Sequence, residues 1–326
     1  MLIITKADIK KVITMKDAID AVKSGFSAFS SGKAVVPLRV PIKLNDNIVL
    51  FMPGALTQEK SVGVKAVSVC PGNIKKGLPL IYAAVLMLDG ETGIPLALIE
   101  GGYITALRTG AAGGAAADVL ARKDARVAMV FGAGVQGRSQ LEALCAVRDI
   151  ELAYVYDIDA EKARKYEAEM REKLGIDIKF VKDYDSVLPE ADVVITATPS
   201  KEPFLKGKLL KEGAHVNAIG SHALDMKELD TEVFRRASVI AVDSKDAVLA
   251  EAGDLIDALN ASVFKKEDMV ELGEILLGKA EGRKSDSDIT IFKTVGIAVE
   301  DVVVGKLIYE RAREKGVGTE IRGFFD

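Results

Sequence analysis

The chain has 326 residues, 49% hydrophobic and 28% charged, the balance of an ordinary globular protein of about two domains. With 44 basic against 48 acidic residues, a net charge of −4 and no basic block, nucleic acid is not an expected partner. Two cysteines, Cys70 and Cys145, exclude a disulfide framework, no Cys/His cluster offers metal spacing, and no apolar run reaches the length of a membrane helix. The first residues show no signal-peptide pattern, so a soluble, cytoplasmic protein without a metal is expected.

Taken in chain order, Thr14 stands three residues before Asp17, and apolar residues recur at Ala18, Val22 and Phe26. This spacing predicts a capped amphipathic helix ending near Gly32. Between 35 and 100, β-rich runs at 35–44, 48–52, 62–70, 80–88 and 94–99 alternate with turn signals, which predicts a mostly antiparallel sheet. An Ala/Gly-rich helix follows over about 105–120. From Arg126 the pattern changes. The apolar runs 127–131, 152–156, 178–181, 193–197, 215–219 and 239–242 alternate with helical stretches such as 160–174. That alternation predicts a parallel sheet with crossover helices over about 122–280. Residues 278–288 read as a polar linker, and 289–315 as a long helix with Thr290, Thr294 and Gly296 near its start.

The strongest motif is Gly132-Ala133-Gly134-Val135-Gln136-Gly137. It follows one predicted strand and opens a helix, and Asp157 lies 20 residues beyond Gly137 at the end of the next strand. That context makes it a dinucleotide fingerprint. Gly132 permits the tight turn, Gly134 the approach of the pyrophosphate, and Gly137 the packing of helix on strand. The first N–H groups of the helix, from Val135 and Gln136 onward, meet the phosphates. Asp157 would accept ribose hydroxyls and repel a 2′-phosphate, so NAD is expected over NADP. Ile158 and a second acid, Asp159, adjoin it, and either acid could instead cap the next helix. At the carboxyl ends of two later strands stand Thr198 and the run Asn217-Ala218-Ile219-Gly220-Ser221, small and polar enough for a nicotinamide ribose. Ordinary turn chemistry is the alternative there.

Three cations stand alone in apolar runs. Lys65 is the only charge in 62–69, Arg108 is followed by no other charge until Asp118, and Arg39 lies in Leu38-Arg39-Val40-Pro41. A buried Lys loses part of its basicity and can exchange a proton near neutral pH. A Lys on a solvent face or an edge strand is the other reading. An isolated Arg asks for a carboxylate or pyrophosphate, unless it caps a helix or lines an interface. Three cations in the first domain and a dinucleotide site in the second suggest one cleft for a small carboxylate. Of the two histidines, His215 reads as core, and His222 follows a strand end where it could titrate near the nicotinamide.

Six stretches together carry a resemblance. They are Met52-Pro53-Gly54, Gly63-Val64-Lys65, Asp89-Gly90 with Thr92-Gly93-Ile94-Pro95-Leu96, Thr105-Ala106-Leu107-Arg108-Thr109, the glycine loop, and Ile289-Thr290-Ile291-Phe292-Lys293-Thr294-Val295-Gly296. The chain resembles the ornithine cyclodeaminase/mu-crystallin family along nearly its whole length, and within it the archaeal, alanine-oxidising branch. The resemblance implies an α/β homodimer in which a Rossmann-type NAD domain (119–288) is inserted into a substrate and dimerisation domain. That domain is built from 1–118 and a returning C-terminal helix in 289–326. It implies that Lys65, at the substrate, is the catalytic proton donor or acceptor, that Arg39 helps to hold the substrate carboxylate, and that Arg108 lies close to the substrate as well. Arg108 and Thr109 would touch the pyrophosphate, and Thr290 joins the cofactor set.

Two departures bear on the substrate. Where the cyclodeaminase pattern has an acid two residues before Met-Pro this chain has Leu50, and where it has a catalytic Asp this chain has Ser221-His222. Little is left to hold a distal ammonium. The expected reaction is therefore reversible, NAD-dependent oxidation of L-alanine to pyruvate and ammonium. Ornithine cyclodeamination, ketimine reduction and nicotinamide-dependent binding without turnover stay open.

Overall fold

The computed structural model describes residues 1–324. The chain forms two compact units, one of residues 109–296 and one of residues 1–108 with the segment from Ile297 onward. The predicted boundaries at 118 and 288 therefore shift. The first falls inside a continuous helix, and the second falls short of a strand that belongs to the inserted unit.

The first unit begins with β1 (Leu2–Ile4), α1 (Lys6–Val12) and α2 (Met15–Ser30). Both helices open with the same device, a Thr whose side chain and backbone exchange hydrogen bonds with an Asp three residues on: Thr5 with Asp8, and Thr14 with Asp17. The strands β2 (Ala34–Val35), β3 (Val40–Leu44), β4 (Asn47–Leu56), β5 (Ser61–Val69), β6 (Ile81–Asp89) and β7 (Pro95–Glu100) follow. The predicted strand over 35–44 is two strands, because Pro37 has no N–H to give to a ladder. The strands β4 to β7 pair antiparallel in sequence order.

Helix α3 (Gly101–Leu120) starts four residues earlier than its composition suggests. Glu100 caps it by accepting from the Gly102 and Tyr103 N–H groups at 2.8 and 2.9 Å.

The second unit holds β8 (Val127–Phe131), α4 (Val135–Cys145), β9 (Leu152–Tyr156), α5 (Ala160–Leu174), β10 (Asp177–Phe180), β11 (Val193–Thr196) and β12 (His215–Ala218). It continues with α6 (Thr231–Arg236), β13 (Ala237–Val242), α7 (Lys245–Glu251), α8 (Gly253–Asn260), β14 (Met269–Glu271), α9 (Leu272–Leu276) and β15 (Ile289–Lys293). Its sheet runs β10-β9-β8-β11-β12-β15-β13-β14, every pair parallel. The order reverses direction between β8 and β11, the switch point at which such sheets take a ligand beyond their carboxyl ends. On one face of this sheet Val130, Val155 and Ile195, in register on neighbouring strands, form a core with Leu141 of α4 and Tyr166 of α5.

The long helix expected over 289–315 is instead β15, a turn, and α10 (Ala298–Glu314). The run Ile289-Thr290-Ile291-Phe292 is β-branched and aromatic, and it is buried between β12 and β13. The polar stretch before it is not a loose linker. Arg283 donates to the carbonyls of Leu120, Gly213 and Asp288 at 2.6, 3.0 and 2.6 Å and pins it.

In the first unit α10 lies on β4, β5 and β6. A Cβ at Gly54 would stand 3.1 Å from that of Ala298, and one at Gly305 2.8 Å from Met87 Sδ, so small residues set the close approach. The last strand, β16 (Thr319–Glu320), pairs with β1.

Candidate functional site

In the first unit the close packing of α10 seats two acids against two cations. Lys65, on β5, is 1% exposed. Its Nζ donates to both oxygens of Asp301, at 2.9 and 2.8 Å. Arg108, on α3, donates to Glu300 Oε2 at 3.0 Å, and its Nε lies 3.2 Å from Asp301 Oδ1. Glu300 also closes the first turn of α10 by accepting from the Ile297 N–H at 2.8 Å. Negative charge in a first helical turn is favoured by the helix dipole, so α10 is the natural bearer of both carboxylates.

The cluster is thus an alternation of charges, Lys65–Asp301–Arg108–Glu300, taken out of water. Burial pushes the Lys65 ammonium down to about 8, and the Arg108 guanidinium pushes the same way, while Asp301 pulls back. Of the sequence candidates, Lys65 and Arg108 come together through Asp301. Arg39 is half-buried in the segment before β3. Glu300 and Asp301 were missed. Their signal was a pair of acids in the apolar run Ala298–Gly305, the mirror image of the lone cations.

In the second unit the glycine loop has the geometry its motif implies. Gly132 takes φ +99°, and a Cβ there would stand 2.5 Å from the Ala197 carbonyl. A Cβ on Gly137 would fall 2.0 Å from the Gly132 carbonyl, so α4 meets β8 only through glycine. Gly134 differs. Nothing lies within 4 Å of where its Cβ would be, and α4 has no side-chain cap at that residue. Open space in front of uncapped N–H groups is what a pyrophosphate needs. Gln136 Oε1 is buried with no hydrogen-bond partner among the described residues, and Val135 is 67% exposed at the same helix end.

Asp157 ends β9 with its Oδ2 accepting from the Ala133 N–H at 2.8 Å and its Oδ1 from the Asp159 N–H at 3.0 Å. It therefore holds the loop and still has lone pairs for ribose hydroxyls. Ile158 beside it is 93% exposed. Asp159 is the cap of α5, accepting from the Glu161 and Lys162 N–H groups, which is the alternative its sequence left open.

The later strand ends are tied from beneath by residues that the sequence reading did not single out. Glu228 is fully buried and accepts from Thr198 N and Oγ1, Thr196 Oγ1, Gly220 N and Ser221 N. Burial pushes its carboxyl up, and Lys293 and the donors pull it back. Lys293 is as isolated in its strand as Lys65 is in β5, and it pairs with buried Asp254 at 3.2 Å. Asp243 accepts from Thr294 Oγ1 and the Val295 and Gly296 N–H groups.

Three cofactor candidates have their side chains spent elsewhere. Asn217 donates to the Gly113 carbonyl and bonds His215, and Ser221 Oγ donates to the Met226 carbonyl. Thr290 sits at the amino end of the sheet, level with His215, where it bonds that imidazole and the Leu120 carbonyl. It lies away from the carboxyl ends of the strands, and its hydroxyl is engaged there. Ala218 and Ile219 are buried at the carboxyl end of β12, and Thr109 is buried with its carbonyl accepting from Gln140 Nε2 at 2.6 Å. His222 is exposed, its Nδ1 donating to the Gly220 carbonyl at 2.7 Å. Among the described residues no group of three or more His, Cys, Asp or Glu side chains is arranged to hold a metal ion.

Comparison with known proteins agrees with this geometry. The sequence profile of the ornithine cyclodeaminase/mu-crystallin family matches residues 1–316. The Δ1-pyrroline-2-carboxylate reductase of Bacillus cereus is 38% identical over 324 residues, 98% of this chain and 99% of that protein. The solved structure of the Thermococcus litoralis Δ1-pyrroline-2-carboxylate reductase, in complex with NADH and L-proline, is similar with TM-score 0.94 and 45% identity, covering 98% of this chain and 100% of that one. An archaeal alanine dehydrogenase dimer with bound NAD gives TM-score 0.91 and 37% identity, with 99% of each chain covered. NAD is the cofactor that this loop and these neighbours share, and the residues above fit it. The chain belongs to the ornithine cyclodeaminase/mu-crystallin family, as an NAD-dependent oxidoreductase.

Proposed function

We propose that the protein reduces a small cyclic imino acid, Δ1-pyrroline-2-carboxylate, to L-proline at the expense of NADH. The observation that carries this reading is Lys65, a buried ammonium held by Asp301 beside the Arg108 guanidinium, with its proton loosened to near neutrality. An ammonium has three donors, and two of those on Lys65 go to Asp301, which leaves one for an imine nitrogen. Arg108, with Arg39, supplies positive charge for the carboxylate on the adjoining carbon.

NADH, when bound, supplies the hydride. That hydride would go to the imine carbon, and as the C=N π bond breaks the nitrogen would take its proton from Lys65 Nζ. Asp301 holds the lysine in place through both charge states. Solvent then reprotonates Lys65. The relatives that act on Δ1-pyrroline-2-carboxylate support the ring.

Oxidation of L-alanine is the second reading, supported by the 37% identical archaeal alanine dehydrogenase. It uses the same Lys65 chemistry but must also admit water and release ammonium. Ornithine cyclodeamination is less favoured. Leu50, packed against the apolar cluster of Met52, Val67 and Ala298, stands where the cyclodeaminase pattern has an acid. We further propose a homodimer. Val40, Ile42, Leu44, Phe51, Tyr82 and Leu98 share the sheet face opposite Lys65 and are 38–68% exposed, a patch that calls for a cover.

The test is NADH oxidation by the purified protein with Δ1-pyrroline-2-carboxylate, compared with pyruvate plus ammonium. A kcat/KM at least about tenfold higher for the cyclic imine is expected, which corresponds to the discrimination of one or two methylenes. A preference for pyruvate plus ammonium would establish the second reading instead.

A further inference from the structure

We infer that Glu228 is a positioning residue for the nicotinamide half of the cofactor, acting through the backbone of two strand ends. Its carboxylate is fully buried, and both oxygens are engaged. Oε1 accepts from Thr198 N at 2.7 Å and Thr198 Oγ1 at 2.8 Å. Oε2 accepts from Thr196 Oγ1 at 2.8 Å, Gly220 N at 2.8 Å and Ser221 N at 3.2 Å. The two oxygens thereby tie the carboxyl end of β11 to that of β12. Gly220 makes the approach possible, since a Cβ there would fall 2.3 Å from the Thr198 carbonyl and 2.4 Å from Glu228 Oε1.

The carboxylate is itself anchored. The Glu228 N–H donates to Asp254 Oδ2 at 3.3 Å, Asp254 pairs with Lys293, and the Glu228 carbonyl accepts from the Phe204 and Leu205 N–H groups. A buried charge is costly unless every lone pair is used, and here five donors from the two loops use it. In a doubly wound sheet the second set of strands carries the nicotinamide nucleotide, while the glycine loop after the first strand carries the pyrophosphate. Glu228 braces only the former. The pyrophosphate loop has its own brace in Asp157.

This division gives a readout that general destabilisation would not. In the intact protein, Glu228→Gln places an amide N–H against donors and frees the two loops. NADH binding, followed by titration calorimetry, should weaken roughly tenfold or more, while ADP, which keeps the adenosine and pyrophosphate but lacks the nicotinamide and its ribose, should bind within about twofold of wild type. Equal weakening of both ligands, or of neither, would overturn the assignment. If Glu228→Gln does not fold, Thr196→Val removes one buried donor without changing shape. It should reproduce the selective loss of NADH affinity at roughly threefold, and unchanged NADH affinity would overturn the proposal. Both readouts concern cofactor binding, so they stand whichever substrate the enzyme turns over.

Discussion

Lys65 was legible because a single charge in a β-rich apolar run has to be explained, and its partner Asp301 was not, because it lies 236 residues away in the chain. The same is true of Lys293, whose isolation in Ile291-Phe292-Lys293 only acquires meaning once Asp254 is folded against it. Depression of the Lys65 ammonium to about 8 has a directional consequence. The proposed reduction needs Lys65 protonated, so kcat/KM for the imino acid should fall as pH rises through about 8, and proline oxidation should rise over the same range. Lys65→Ala should remove turnover and this pH dependence while leaving NADH affinity within about twofold, as measured by pH–rate profiles and calorimetry. Parallel loss of NADH binding would assign Lys65 to structure instead of chemistry.

Among the elements, periodicity found the helices that show an apolar face and the strands that alternate with turns. It failed where a β-branched run was joined to a helix without a break signal. Residues 289–315 read as one helix, yet β15 is the buried strand between β12 and β13, and only Gly296, at φ +81°, marks the turn into α10. The short helix α1 was missed although Thr5 and Asp8 repeat the capping pattern that revealed α2. Within the sheet, His215 on β12 is fully buried between Thr290 and Asn217, and desolvation lowers its imidazole from the ordinary 6.5 to about 3. The unfolded chain takes up this proton near 6.5 and the folded chain does not until about 3. The stability that the neutral histidine confers is therefore complete above about pH 6.5 and is lost progressively as pH falls toward 3, about 5 kcal/mol at the acid end. Urea unfolding from pH 7 to pH 4 should show a steeper loss for wild type than for His215→Gln. Equal slopes would mean that the proton uptake belongs to other groups.

At the scale of the molecule, the dinucleotide fold was written in local features: a glycine loop between strand and helix, an acid at the next strand end, and parallel-strand composition. The first unit was harder, because its site is assembled from β5, α3 and α10, and α10 comes from the far end of the chain. The exposed apolar sheet face escaped notice for a similar reason. Val40, Ile42 and Leu44 look like an ordinary alternating strand until the register shows them on the same face as Phe51, Tyr82 and Leu98. Light scattering of the intact protein should give the mass of two chains, and a stable monomer at micromolar concentration would leave that face without its proposed cover.

In the proposed function, hydride from NADH goes to a cyclic imino acid in preference to an open-chain one. Its most direct test is one competition. The protein is given NADH deuterated at the transferable position, with Δ1-pyrroline-2-carboxylate, pyruvate and ammonium together, and the products are weighed by mass spectrometry. Deuterium at Cα of L-proline, with little in alanine, is the predicted result. Deuterium predominantly in L-alanine would contradict the account and make the protein an amino-acid dehydrogenase.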